Sequence, residues 1–114
     1  MPYFRIETNG TMDRDAAREA AEKASAFIAG LLGKPEAYVM ASVHPETPLV
    51  FGGSREPSAI VHLKSIGLPK ERCAELSDRI CTFVEASLGI PASRIFIDFK
   101  NLDGKMFGWN GQTF

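Results

Sequence analysis

The chain has 114 residues, is 45% hydrophobic and carries a formal net charge of −1. That length suits one domain spanning residues 1–114, and so much apolar content excludes disorder. No basic stripe points to nucleic acid, no polybasic cluster points to an anionic membrane, and no apolar run approaches the roughly 20 residues that cross a bilayer.

Residues Pro2 to Thr8 read as a short strand, in which Phe4 and Ile6 alternate with Tyr3, Arg5 and Glu7. The leading Met-Pro-Tyr-Phe-Arg has neither a basic leader nor a long apolar stretch, so the expected starting place is the cytoplasm. Export by a non-classical route would leave no mark. Asn9-Gly10 is a turn signal. From Met12 to Leu32, Ala17, Ala20, Ala21, Ala24, Phe27, Ile28 and Leu31 recur at helical spacing, with Asp13 as N-cap and Gly33 as stop. Tyr38 to His44 is the next expected strand, with Val39, Ala41 and Val43 on one face.

The second half repeats this order. Ser58 to Lys64 alternates as a strand, and Pro69 suits the first position of a helix. Cys73, Leu76, Ile80, Phe83, Val84 and Leu88 form a helical stripe that Gly89 ends, and Ile95, Ile97 and Phe99 mark a fourth strand. The segment from Gly33 to Val43 lies on that from Gly89 to Phe99 at an offset of 56 residues, with glycine, proline and the apolar positions coinciding. Two β-α-β units related by a pseudo-twofold axis would share a four-stranded mixed sheet with both helices on one face, an α+β fold. The other face is expected to be apolar or aromatic, with Ile60, Phe96 and Tyr38 as candidates, and to need cover from further copies of the chain.

Val50 to Ser54 reads as a turn, since its glycines fit no phosphate-binding pattern. The tail carries Phe107, Trp109 and Phe114, which suit a short strand at a subunit edge, an aromatic ligand wall, or both. Cys73 and Cys81 are eight residues apart on one expected helix, about 12 Å along its axis, beyond the reach of a disulfide. With His44 and His62 they make a poor metal site, and no metal or other cofactor is implied.

No hydrolase triad or zinc motif occurs. The candidate reactive group is Pro2, directly after Met1. Removal of Met1 would expose a secondary amine. Free α-amino groups titrate near about 8, and burial or a nearby cation such as Lys34 would lower that value. A neutral amine near pH 7 can abstract a proton beside a carbonyl.

Met1-Pro2-Tyr3-Phe4, Gly33-Lys34-Pro35, Phe51-Gly52-Gly53-Ser54, Glu56-Pro57, Ser65-Ile66-Gly67, Gly108-Trp109-Asn110 and Thr113-Phe114 together resemble the macrophage migration inhibitory factor family, of the tautomerase superfamily, from end to end. The resemblance implies a homotrimer, with three sheets wrapped into a barrel and sites between subunits. Its activity would be keto–enol tautomerisation of a small aromatic α-keto acid of the phenylpyruvate or dopachrome kind. Pro2 would be the general acid/base and Lys34 would hold a carboxylate or carbonyl oxygen. The Ile66 N–H would face the substrate with Ser65 flanking it, and Tyr38, Phe107, Trp109 and Phe114 would line an apolar slot. Two positions depart from the family: its site tyrosine falls on Phe96 and its asparagine on Asp98. Those departures keep open a second reading, a cytokine-like or cytokine-mimicking protein that binds a receptor and retains weak tautomerase activity. Ser58 and Val61 occupy the places of the vertebrate protein's CxxC pair, so a thiol oxidoreductase role does not transfer.

Overall fold

The alternation in the first residues becomes β1 (Tyr3–Thr8) in a computed structural model that describes residues 1–114. Phe4, Ile6 and Thr8 are buried there, because successive strand side chains point to opposite faces. The helix α1 (Arg14–Leu32) begins where the Asp13 carboxylate accepts the Ala16 N–H at 2.7 Å. It stops at Gly33, whose φ of 64° is the left-handed conformation that an L side chain disfavours. Then follow β2 (Met40–His44), β3 (Ala59–Ile66), α2 (Cys73–Leu88), β4 (Ile95–Leu102) and a small hairpin of β5 (Gly108–Trp109) with β6 (Gln112–Thr113).

The large sheet has the order β2-β1-β3-β4. β1 and β2 are parallel, as are β3 and β4, while the central pair β1 and β3 is antiparallel. This is the mixed sheet expected of two β-α-β units. Ala24 and Ile28 of α1 and Leu76, Ile80 and Val84 of α2 share one core with Phe4, Ile6, Val61 and Leu63. Both helices therefore cover the same face, and Phe27 stacks on Phe83 between them at 4.2 Å. Each fully buried aliphatic side chain contributes about 1.5–3 kcal/mol relative to exposure. Both cysteines lie on α2 and are free, and burial pushes the Cys81 thiol up, towards the unreactive protonated form.

Three expectations need correction. Tyr38 does not belong to a strand but closes a 3-10 turn (Glu36–Tyr38), because its N–H donates to the Pro35 carbonyl at 3.0 Å. The repeat partner Pro91 does the same for Arg94, so the turn belongs to the duplicated unit. Pro69 is not helical either: its ψ of 130° is extended, and a 3-10 turn (Lys70–Arg72) separates it from α2. The uncovered sheet face is not broadly apolar. Its middle carries Arg5, Glu7, His62, Lys64, Asp98 and Lys100, and apolar groups such as Ile60, Phe96, Met40 and Leu102 lie towards its ends.

Candidate active site

Pro2 lies at the start of β1, fully buried, and its carbonyl accepts the Met40 N–H at 3.1 Å. This bond ties the beginning of the chain to β2. Beside it is a cavity of about 420 Å³, lined by Pro2, Tyr3, Tyr38, Phe107, Trp109 and Phe114, with Met1 at its wall. The structure thus brings together Pro2 and all four aromatics assigned to the slot.

The aromatic wall is a chain of ring contacts. Tyr38 meets Trp109 edge-on at 5.4 Å, Trp109 stacks on Phe114 at 5.9 Å, and Phe114 stacks on Phe107 at 6.0 Å. Such pairs fix ring positions as well as burying apolar surface. The tail is pinned because the Phe114 N–H reaches the Gly104 carbonyl at 3.0 Å. Glycine at 104 allows this approach, since a Cβ there would stand 3.1 Å from the Phe114 carbonyl oxygen. The sequence alternatives for the tail, a short strand or an aromatic wall, both hold in the hairpin β5–β6 and its rings.

Lys34 follows the Gly33 stop of α1 and crosses to the end of β3, where its ammonium donates to the Ile66 carbonyl at 3.3 Å. Burial lowers the pKa of the Met1 amine below its ordinary value of 8.0, and the Lys34 charge lowers it further. An amine and a lysine therefore share the same end of the sheet. Ser65 does flank Ile66, but its side chain is buried on the core face, where its hydroxyl approaches the Ile66 carbonyl at 3.5 Å. It does not line the cavity.

Phe96 and Asp98 are elsewhere. Tyr3 stands opposite Lys64, whereas Glu7 stands opposite Ile60, which in turn pairs with Phe96. Four residues of strand put the Phe96 row about 13 Å from the Tyr3 row. Phe96 is 63% exposed and lines a second groove, of about 410 Å³, with Leu49, Val50, Phe51 and Ile60. Asp98 turns to His62, 3.5 Å from its Nδ1, and the other ring nitrogen lies 3.6 Å from Glu7. Arg5 in turn holds Glu7 at 2.8 Å and keeps its carboxyl below the usual range. Within one chain, then, neither departure from the family pattern reaches Pro2.

Two residues that local patterns overlooked shape these surfaces. Tyr3 lines the Pro2 cavity, and its hydroxyl is paired with Ser42 at 3.2 Å. Its outward phase next to Pro2 was the available signal. Arg94 clamps the second groove by donating to the carbonyls of Pro57 at 2.8 Å, Glu56 at 3.1 Å and Ser54 at 3.2 Å. Its guanidinium also lies 5.2 Å from the Phe51 ring centre, and Phe51 packs on Phe96 at 4.7 Å. No local motif announces that clamp, because its acceptors come from a loop some forty residues earlier.

Comparison with known proteins agrees with this geometry. A family model described as macrophage migration inhibitory factor (MIF) matches residues 1–114. The chain is 37% identical to a macrophage migration inhibitory factor homolog of Brugia malayi over 116 residues, covering 100% of this chain and 99% of that protein. It is 36% identical to the Trichinella spiralis homolog over 115 residues, covering all of both chains. The crystal structure of the Prochlorococcus marinus homologue superimposes with a TM-score of 0.90 at 41% identity, covering 98% of each chain.

Proposed function

The chain belongs to the macrophage migration inhibitory factor family, and from that membership we propose that it is a cofactor-independent keto–enol tautomerase whose base is the Pro2 amine. Removal of Met1 frees that nitrogen beside the aromatic cavity. The carrying observation is the terminal amine already present there, whose pKa is lowered by burial first and by Lys34 second. A proline amine one residue deeper meets the same two influences. Neutral at pH 7, it takes a proton from the carbon beside the carbonyl and returns one to carbon or oxygen, interconverting keto and enol with no net change of atoms. Lys34 holds the substrate's carboxylate or carbonyl oxygen by a charge-assisted hydrogen bond. The Ile66 N–H serves as a further donor, and the wall of Tyr38, Phe107, Trp109 and Phe114 selects an aromatic ring, as in phenylpyruvate or a dopachrome-like compound.

The separation of Phe96 and Asp98 from Pro2 supports a homotrimer, in which the second groove of one subunit meets the Pro2 cavity of the next. Phe96 and Val50, 63% and 67% exposed, would be covered in it. Light scattering on the purified protein tests this, and a monomer would overturn it. The working compartment in this reading is the cytoplasm.

The decisive experiment is Pro2→Gly assayed by phenylpyruvate enolisation, with mass spectrometry confirming that Met1 is absent. Loss of a general base lowers kcat/KM about a hundredfold or more. Unchanged enolisation, or retained Met1 in active protein, sinks the mechanism. A second reading, a receptor-binding protein with weak residual activity, is favoured by two observations: Asp98 is engaged by His62, and Phe96 has no hydroxyl. Receptor binding that survives Pro2→Gly would support it.

A further inference from the structure

Tyr3 follows Pro2 in the chain, but its hydroxyl is fixed elsewhere. Its register partner on β2 is Met40, whereas its Oη lies 3.2 Å from Oγ of Ser42, which stands opposite Arg5. The side chain therefore reaches towards a row two strand positions on, about 7 Å along the sheet. The Ser42 hydroxyl is held from both sides, because Nε2 of His44 lies 3.0 Å from the same Oγ. A hydroxyl has one hydrogen and two lone pairs, so it donates in one contact and accepts in the other. Tyr3, Ser42 and His44 thus form a continuous hydrogen-bond chain, in which each bond polarises the next.

Tyr3 borders two different surroundings. It lines the apolar cavity with Pro2, Tyr38 and Trp109. Its phenol oxygen lies with the charged row. The Ser42 hydrogen bond holds the phenol below its ordinary value of 10.0, burial opposes this, and the charges of Arg5 and Lys64 add to it. On that side stand Arg5 and Glu7 of β1, Ser42 and His44 of β2, and Lys64 of β3. On the cavity side stand the terminal amine, the Lys34 charge and the Tyr38 phenol. An amine whose protonated form is disfavoured first by burial depends on a wall that keeps water out.

We infer that Tyr3 is a positioning residue of the Pro2 site: tethered through Ser42 to His44, it is the wall that separates the cavity from the charged row and its water. The inference rests on the proposed role of the terminal amine and adds what keeps that amine dry. Loosening the wall admits water, which favours the protonated amine. Arg5 and Lys64 oppose this only weakly, since charges in contact with water interact through a high dielectric.

Nitrogen NMR titration of the terminal amine in the full chain tests the wall without recourse to turnover. Tyr3→Ala should move the titration upward by about one pH unit, a roughly tenfold change in the amine's protonation constant. Ser42→Ala should move it the same way by less. Ser42→Thr, which keeps the hydroxyl, should return it to the wild-type position. The rise of phenylpyruvate enolisation with pH should follow the amine in each variant. An unchanged or downward titration in either Tyr3→Ala or Ser42→Ala overturns the inference, as does Ser42→Thr behaving like Ser42→Ala. If the titration moves as expected while enolisation survives Pro2→Gly, the fault lies with the tautomerase reading and not with the wall.

Discussion

The two ends of the sheet hold hollows of nearly the same size, about 420 Å³ at Pro2 and about 410 Å³ at Phe96. Both are lined mainly by apolar side chains. Only the first has an amine at its wall, with the Lys34 charge near enough to lower its pKa, while the second is bounded by the structural clamp of Arg94. Volume and apolarity are thus shared, and what separates a candidate site of chemistry from a candidate docking groove is which titratable groups the backbone delivers. Between the two ends runs a charged row, Arg5–Glu7–His62–Asp98, that belongs to neither.

The sharpest way to separate the ends is Lys34→Met. Losing a charge-assisted hydrogen bond to substrate should lower kcat/KM for phenylpyruvate about 10- to 100-fold. The pH profile carries a sign as well. The base works as the neutral amine, so activity rises with pH through the amine's pKa. Lys34 disfavours the protonated amine, so its removal should move that rise to higher pH, though burial, the larger cause at the Met1 amine, remains. A profile that does not move would mean that Lys34 does not act on the Pro2 nitrogen.

Arg94→Ala should strike the other end. Three carbonyls lose a charged donor and Phe51 loses its cover, at a cost of about 2 kcal/mol measured by denaturant unfolding. The fluorescence of Trp109, the single tryptophan, should stay as in the wild type below the transition. A shifted Trp109 spectrum would show that the two ends are coupled. The smallest effect is expected in the middle, from Glu7→Gln. Arg5 lowers the Glu7 pKa in the folded chain, so the pair stabilises the fold above the ordinary carboxylate value of 4.5 and ceases to do so as pH falls through the lowered one. The variant should flatten the acid side of a Tm-against-pH curve and leave both ends intact.

Much of the architecture was legible locally. Asp13, Gly33 and Gly89 mark helix ends by rules that involve only their own few residues, and the structure uses all three. Phe4, Ile6, Val61 and Leu63 are buried as their alternation requires. Tyr38 misled because apolar alternation runs unbroken through a turn that is set by a hydrogen bond to Pro35. The Pro2 cavity was legible only by resemblance, since Lys34, Tyr38 and Trp109 carry no spacing that would join them. The charged middle of the uncovered face is visible in Arg5, Glu7, His62 and Asp98 themselves, but Ile60 and Phe96 taken alone imply a wider apolar patch than exists.

By itself the sequence determined the elements, their duplication, the face each strand buries and the family. These follow from side-chain period, backbone preferences of glycine and proline, and motifs read in order. The tertiary structure alone decided who stands next to whom across strands. The antiparallel pairing of β1 with β3, joined to the parallel pairing of β3 with β4, sends Phe96 and Asp98 away from Pro2 and sets Lys64 opposite Tyr3. Register and strand polarity are set by packing of the whole core on two helices, and no window of neighbouring residues contains that information.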